Sequence, residues 1–330
     1  MTARKKRLTV HISALLFLLL ALFLSLRFGS TYLKTGAFFG ALLRRAGYES
    51  GTLILYAIRL PRAIGALLAG AGLALSGTLL QRVTDNPLAA PHILGINAGA
   101  GFFVILSLTL FSTAFFLRPI CAFVGALLCA LLILALSDRA GLDRAAVVLC
   151  GVALSALFSA GISFFSALDS DVLASYNDFS IGGLRGVTMR VLILPACVIL
   201  LCLLGAWLLS RSLRLFCLGD TLAASLGVSV KRVRLLALLL AAASAAAAVS
   251  FAGLLGFVGL IVPHTARRLA RQDLRGELLL SPVLGATLLL LADLVGRMLL
   301  SPTEIPVGIL TAMLGVPFFL TLLIGRKRHA

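Results

Sequence analysis

Apolar residues run along this chain in blocks of about twenty, separated by short polar or basic stretches. A helix of that length crosses the roughly 30 Å hydrocarbon core of a bilayer. Ten blocks are legible, at about 8–27, 60–82, 93–112, 117–137, 145–168, 191–209, 233–252, 254–267, 278–298 and 306–325. The pattern predicts an all-α, polytopic transmembrane bundle. The eighth block is the shortest and is poorly separated from the seventh. The stretch Gly51–Ile58 is also apolar, so the second helix is expected to begin upstream and to kink at Pro61. Ala66, Gly70, Ala74 and Thr78 recur every four residues and form one smooth stripe on that helix. Such a stripe lets another backbone approach closely. Ala241–Ala248, all alanine but for Ser244, predicts the same tight packing. No internal repeat or low-complexity linker divides the chain, so residues 1–330 read as a single transmembrane domain.

Composition strengthens this reading. The chain is 61% hydrophobic and 12% charged, against about 25% charged in soluble domains. Its 29 basic and 12 acidic residues give a net charge of +17. In a soluble protein that excess points to nucleic acid. Here the basic residues flank apolar blocks instead, and no basic stripe interleaves with aromatics, so no nucleic-acid partner is expected. With ten spans and both termini cytoplasmic, 19 of the 29 basic residues fall inside, among them Arg4–Arg7, Arg82, Arg214, Arg267, Arg268 and Arg326–Arg328. That is the positive-inside bias. Leu24-Ser25-Leu26-Arg27 offers no small-residue cleavage site, so the first block reads as an uncleaved span rather than a signal peptide.

Several kinds of chemistry are missing from the sequence. The six cysteines lie in or beside apolar blocks without a CxxC pair, and the four histidines lack metal-ligand spacing. No metal or cofactor is expected on this chain. No glycine-lysine pair occurs, which excludes a GxxxxGK[ST] nucleotide loop. HExxH, GxSxG and paired intramembrane aspartates are absent, so the chain does not read as an enzyme. A channel needs a polar ring lining its pore, and none is evident. An ion-coupled carrier needs an ionisable residue near the midplane. Asp293, the one acid inside a block, sits near its end beside Arg297. The carrier stands as the alternative from another class. What remains is a transport subunit powered from elsewhere.

Four segments stand out. Asn86 and Pro87 open a tight turn, and Gly95 and Gly99 thin the start of the third helix. In 218–231, Asp220 or Thr221 is expected to cap a short helix that Gly227 ends. This is either an ordinary loop or a docking element for a cytoplasmic partner. Gly253, Gly256 and Gly259 share a face, and Pro263, followed by His264, is expected to break or bend the helix near the cytoplasmic edge. Finally, Arg59, Arg62 and Arg297 fall on the outer side. Asp293 lies four residues before Arg297 and can pair with it. Arg59 and Arg62 have no acid within helical reach. Two readings stay open for them: snorkelling to headgroups, or receiving carboxylates from an acidic outer partner.

Taken in order, these segments resemble the FecCD-type permeases of ABC importers for iron-siderophores, haem and cobalamin. The likeness begins with Arg59-Leu60-Pro61-Arg62, Gly77 and Gln81. It continues through Asn86-Pro87-Leu88-Ala89, Gly95 and Gly99-Ala100, then Leu218-Gly219-Asp220 and Leu226-Gly227-Val228. Gly256-Phe257-Val258-Gly259-Leu260-Ile261-Val262-Pro263-His264, Arg267, Asp293, Arg297, Pro306-Val307-Gly308 and Gly315-Val316-Pro317-Phe318-Phe319 complete it. It covers residue 50 to the C-terminus. The resemblance implies a cobalamin-importer-like bundle of ten helices in the bacterial cytoplasmic (inner) membrane. It implies a second permease subunit, identical or homologous, with the pathway between the two. It implies two cytoplasmic ATPase subunits that use ATP and bind a coupling loop at about 210–232, with Leu218, Gly219, Asp220, Ala223, Leu226 and Gly227 at its centre. It also implies an outer substrate-binding protein whose carboxylates meet Arg59, Arg62 and Arg297, which tips the open choice for the first two towards docking. Asn86, Pro87, Gly95, Gly99, Gly256, Gly259, Pro263 and His264 take structural or gating roles.

The family's usual tryptophan near the glycine pair Gly182-Gly183 is absent from Tyr176–Gly183, which leaves the outer mouth without assigned ligand contacts. The expected mechanism is alternating access, with a metal chelate crossing past the fifth span, Val147–Phe165. A ferric siderophore is the expected cargo, with haem or cobalamin as alternatives.

Overall fold

The computed structural model describes residues 3–93, 95–111, 115–139 and 144–326. Of the segments singled out above, Leu94, Lys327 and Arg328 lie outside the described residues. The elements in chain order are α1 (Ala3–Arg27), α2 (Thr35–Leu42), α3 (Glu49–Leu53), a π-helical turn (Ile54–Arg59) and α4 (Leu60–Thr84). They continue with α5 (Ile96–Leu110), α6 (Arg118–Arg139), α7 (Arg144–Leu168), α8 (Ser170–Ile181), α9 (Met189–Phe216) and α10 (Asp220–Ser225). The last are α11 (Val230–Ala252), α12 (Val258–Leu269), α13 (Leu274–Met298) and α14 (Val307–Arg326). Each of the ten expected blocks falls on one of these helices. Among the described residues there is no strand, and seven helices are long and apolar enough to cross a membrane.

The eighth block differs from expectation. Its helix, α12, has 12 residues, about 18 Å at 1.5 Å per residue. That is short of a full crossing. The break lies upstream of Pro263, at Gly253–Phe257, where Gly253 (φ 70°) and Phe257 (φ 64°) turn left-handed. Irregular backbone at membrane depth persists only when protein satisfies its polar groups. Here Leu254 N–H donates to Phe179 O at 3.1 Å and Gly183 N–H donates to Ala252 O at 2.8 Å. Pro263 stays inside α12 without breaking it. It lacks the N–H that would bond the Gly259 carbonyl, and Gln81 Nε2 supplies donors to Gly259 O and Leu260 O, both at 3.4 Å.

At Pro61, where a kink is expected, the irregularity takes the form of a widened turn. The proline ring would collide with the carbonyl of Ala57, four residues back. The turn Ile54–Arg59 widens to π geometry instead, and the chain stays helical over Glu49–Thr84.

The core forms around α4, which packs on α13, α11 and α12. The small stripe on α4 meets α13: a side chain at Gly285 would strike the Gly70 carbonyl and the Ala74 Cβ. Thr78 Oγ donates to Ser281 Oγ at 2.7 Å, and Ser281 Oγ to Ala74 O at 3.1 Å. On another side, the alanine run of α11 lies against α4, and Ser244 Oγ donates to Gly72 O at 2.9 Å. Ala241, Ala242 and Ala245–Ala248 are all buried. With lipid outside as apolar as leucine, close backbone contact and such hydrogen bonds drive association. By contrast, α1, α7 and α9 expose many leucines, including Leu16, Leu149, Leu157, Leu201 and Leu208. That is the surface left for lipid or other subunits.

Candidate functional sites at the two ends of the bundle

Charge collects in two layers, one at each end. In the first, the structure brings Arg59, Arg62 and Arg297 together, although they come from two distant helices. The last carbonyls of α1 have no partner within their own helix and carry the negative end of its dipole. Two arginines fill that role. Arg59 Nη1 donates to Leu26 O (2.8 Å) and Arg27 O (2.7 Å), and its Nη2 to Thr31 O. Arg297 donates to Ser25 Oγ (2.8 Å), Ser25 O (3.2 Å) and Phe28 O (3.3 Å). Gly29 leaves room for this; a Cβ there would lie 3.0 Å from Arg297 Nη1 and 3.4 Å from Arg59 Nε.

Asp293 joins the other pair. Its Oδ2 lies 3.0 Å from Arg297 Nε, the i,i+4 pairing the sequence predicts. Its Oδ1 accepts from Arg62 Nε at 2.8 Å. Arg62 Nη1 then reaches Glu304 Oε2 at 2.7 Å. Arg62 therefore has two acidic partners, both remote in sequence. All three arginines are buried, at 3%, 7% and 4% exposure for Arg59, Arg62 and Arg297. None snorkels. The three line a cavity of 660 Å³, together with Arg185, Thr188, Ser30 and Glu304. Four arginines and one glutamate thus contribute to the cavity wall. Arg59 makes only carbonyl contacts and no ion pair among the described residues, so its positive charge is unmatched.

At the opposite end, Glu277 is fully buried in the first turn of α13. It ties Arg82 at the end of α4 (Nε–Oε2 3.0 Å) to Arg267 at the end of α12 (Nε–Oε1 3.3 Å). Asp273, which caps α13, pairs with Arg7 at 3.2 Å and Arg214 at 3.6 Å. Beside this layer sits α10. Gly219 occupies its N-cap with φ 107°, a correction to the expected cap at Asp220 or Thr221. Asp220 instead pairs with Arg234 at 2.7 Å. Gly227 ends the helix as expected, with φ 80° and Val228 N–H bonded to Ala223 O at 3.0 Å. Ala223 is buried against the bundle, while Leu218, Leu222 and Leu226 are more than half exposed. Leu222 and Leu226, four residues apart, form one apolar edge of the helix, and Leu218 lies on the turn before it.

The remaining predicted residues have structural surroundings. Asn86 Oδ1 accepts from Leu88 N–H at 3.0 Å and closes the turn. Pro87 follows within that turn. Gly95 (φ 80°) starts α5 in a conformation that favours glycine. Gly99 lies against Cys129 of α6, and Gly259 crosses Gly77 on α4. A side chain at Gly256 would meet open space, and nothing in the structure explains a glycine there. His264 is half-buried, edge-on to Phe318 at 5.8 Å. Burial pushes the His92 imidazole, on the turn before α5, down to about 4, and its ring lies 5.3 Å from Phe257.

Reading the sequence missed Glu304, Glu277, Ser25 and Leu222. Only 12 residues are acidic, so the set of candidate partners was short, but which arginine each would meet was not encoded locally. Leu222 shares the i+4 spacing with two leucines already singled out.

An all-helical membrane bundle with an arginine-lined cavity at one end and a short helix with exposed leucines at the other fits a transport permease rather than an enzyme. Residues 17–325 match the FecCD transport family, and the chain belongs to it. Members are permease subunits of ABC importers, in which a separate subunit hydrolyses ATP. The chain is 36% identical to the Fe(3+)-citrate import system permease protein YfmE of Bacillus subtilis, over 98% of this chain and 97% of that protein. It is 36% identical to the ferric enterobactin transport system permease protein FepG of Escherichia coli, over 92% of each. It is 38% identical to the hemin transport system permease protein HmuU of Yersinia pestis, over 82% and 83%. Among solved structures it is similar to a metal-chelate-type ABC transporter in an inward-facing conformation, with a TM-score of 0.86 and 31% identity, covering 96% of this chain and 99% of that one.

Proposed function

We propose that this chain forms half of the translocation pathway of an importer for a ferric chelate. A second permease subunit supplies the other half, two ATPase subunits bind α10, and a substrate-binding protein docks over the arginine cavity. The observation that carries this reading is the unmatched charge of Arg59 inside that cavity. Holding a buried guanidinium without a counter-charge is costly, and a carboxylate from a docked partner offsets that cost. The ferric-citrate and enterobactin names of its relatives support an iron chelate as cargo. Both termini then lie in the cytoplasm, in accord with the excess of basic residues on the α10 end.

Because the arginines are recessed, the docking carboxylates must enter the cavity rather than meet a flat surface. Co-reconstituting the permease with its ATPase and binding protein tests the reading. Arg59→Gln, which removes the one charge that has no ion-pair partner, is expected to weaken binding-protein docking and chelate uptake at least tenfold while the permease–ATPase complex stays assembled. Unchanged docking by that variant overturns it.

A further inference from the structure

Arg62 holds two carboxylates of different character. Asp293 is fully buried on α13, whereas the Glu304 side chain is 20% exposed, on the turn between α13 and α14. Glu304 takes Nη1 of Arg62 at 2.7 Å, while its other oxygen accepts from Ser30 Oγ at 3.3 Å. Burial pushes the Glu304 carboxyl up, yet Arg62 and Ser30 hold it below its ordinary value, so it is ionised at neutral pH. It is also the one carboxylate that lines the arginine cavity. An acidic group entering that cavity therefore finds Arg62 already occupied.

Resting on the docking reading above, we propose that Glu304 is an internal stand-in for the docking carboxylate. It keeps Arg62 neutralised and oriented in the undocked permease and yields Nη1 when an acidic side chain of the binding protein arrives. Docking at Arg62 is then an exchange of one ion pair for another, whereas docking at Arg59 creates a new one. The same arrangement gives selectivity, because a partner that presents a carboxylate to Arg59 alone cannot displace Glu304. Exchange also makes docking readily reversible, since Arg62 is never left bare when the partner leaves.

The test uses the full-length permease in nanodiscs, with glutarate as a small dicarboxylate probe read by thermal shift. Glu304→Gln removes the competing charge and preserves the side chain's shape. The variant is expected to bind glutarate about tenfold more tightly than the unmodified protein. Its affinity should also fall more steeply with salt, because an ion pair is gained rather than exchanged. Equal affinity and equal salt dependence in the two proteins overturn the stand-in. Should Glu304→Gln not remain monodisperse, Ser30→Ala provides the second arm. It frees one oxygen of Glu304 without touching an arginine, and a smaller gain in glutarate affinity is expected; no gain overturns the proposal. The docking reading fails separately, through Arg59→Gln measured with the binding protein itself.

Discussion

Arg62 and Asp293 stand 231 positions apart in the chain, and their side chains meet at 2.8 Å with the carboxylate fully buried. Because Asp293 also holds Arg297, one carboxylate fixes two guanidinium groups. Breaking a buried pair leaves an uncompensated charge, at a cost of about 3–5 kcal/mol. Asp293→Ala is expected to lower the melting temperature in detergent markedly. Pairing it with Arg62→Met in a double-mutant cycle should show coupling above about 1 kcal/mol. Additive losses would mean that the pair is not the unit described.

A second prediction concerns the donor that Pro263 lacks. Gln81 serves the carbonyls of Gly259 and Leu260. Gln81→Leu leaves these buried acceptors without it and should cost about 1–3 kcal/mol. In a Pro263→Ala background the backbone N–H returns, and the same substitution should cost clearly less. Thermal melts of the four proteins decide it; an undiminished cost would show that Gln81 acts in some other way.

The exposed leucines at α10 give a functional prediction. Leu222 is 58% exposed, so Leu222→Asp should barely alter the fold. Losing an apolar anchor in an interface typically costs about 2 kcal/mol or more. Co-purification of the ATPase subunit should therefore fall by more than tenfold, with melting unchanged. Full retention of the ATPase would remove these leucines from the interface.

His92 sets a pH dependence. The unfolded imidazole titrates near 6.5, whereas burial lowers the folded one to about 4. As pH falls through that interval, the unfolded state binds the proton first. Stability from this group is complete above about 6.5 and declines towards about 4. His92→Phe should flatten that limb of the melting-temperature profile between pH 6.5 and 4. Superimposable profiles would exclude His92 as the source.

Much of the helical frame was legible because apolar block length reports bilayer thickness directly. The stripe Ala66–Gly70–Ala74–Thr78 also announced its role, since small residues at a four-residue spacing have one common use. The partners of the arginines were not legible in the same way. Arg297 and Asp293 share a helix, and spacing alone reveals them. Arg62 finds Asp293 and Glu304 only because α4 lies beside α13 and the turn that follows it, and no local pattern encodes that. The prolines were legible only in part for a related reason. Propensity predicts a kink at Pro61 and a break or bend at Pro263; a widened turn precedes the first, and at the second the helix continues with the Gln81 amide serving the freed carbonyl.

The widened turn at Ile54–Arg59 has a consequence of its own. A π turn carries about one residue more than an α turn, and each residue advances a helix by about 100°. The helical turn Glu49–Leu53 is therefore out of phase with Arg59 and Arg62 by roughly that angle. This offset lets the arginines aim inward while Leu53 and Ile58 stay more than half exposed. Removing a single residue from the turn would rotate one half of the helix against the other. The cavity would be re-aimed without the chemistry of any side chain that lines it being altered.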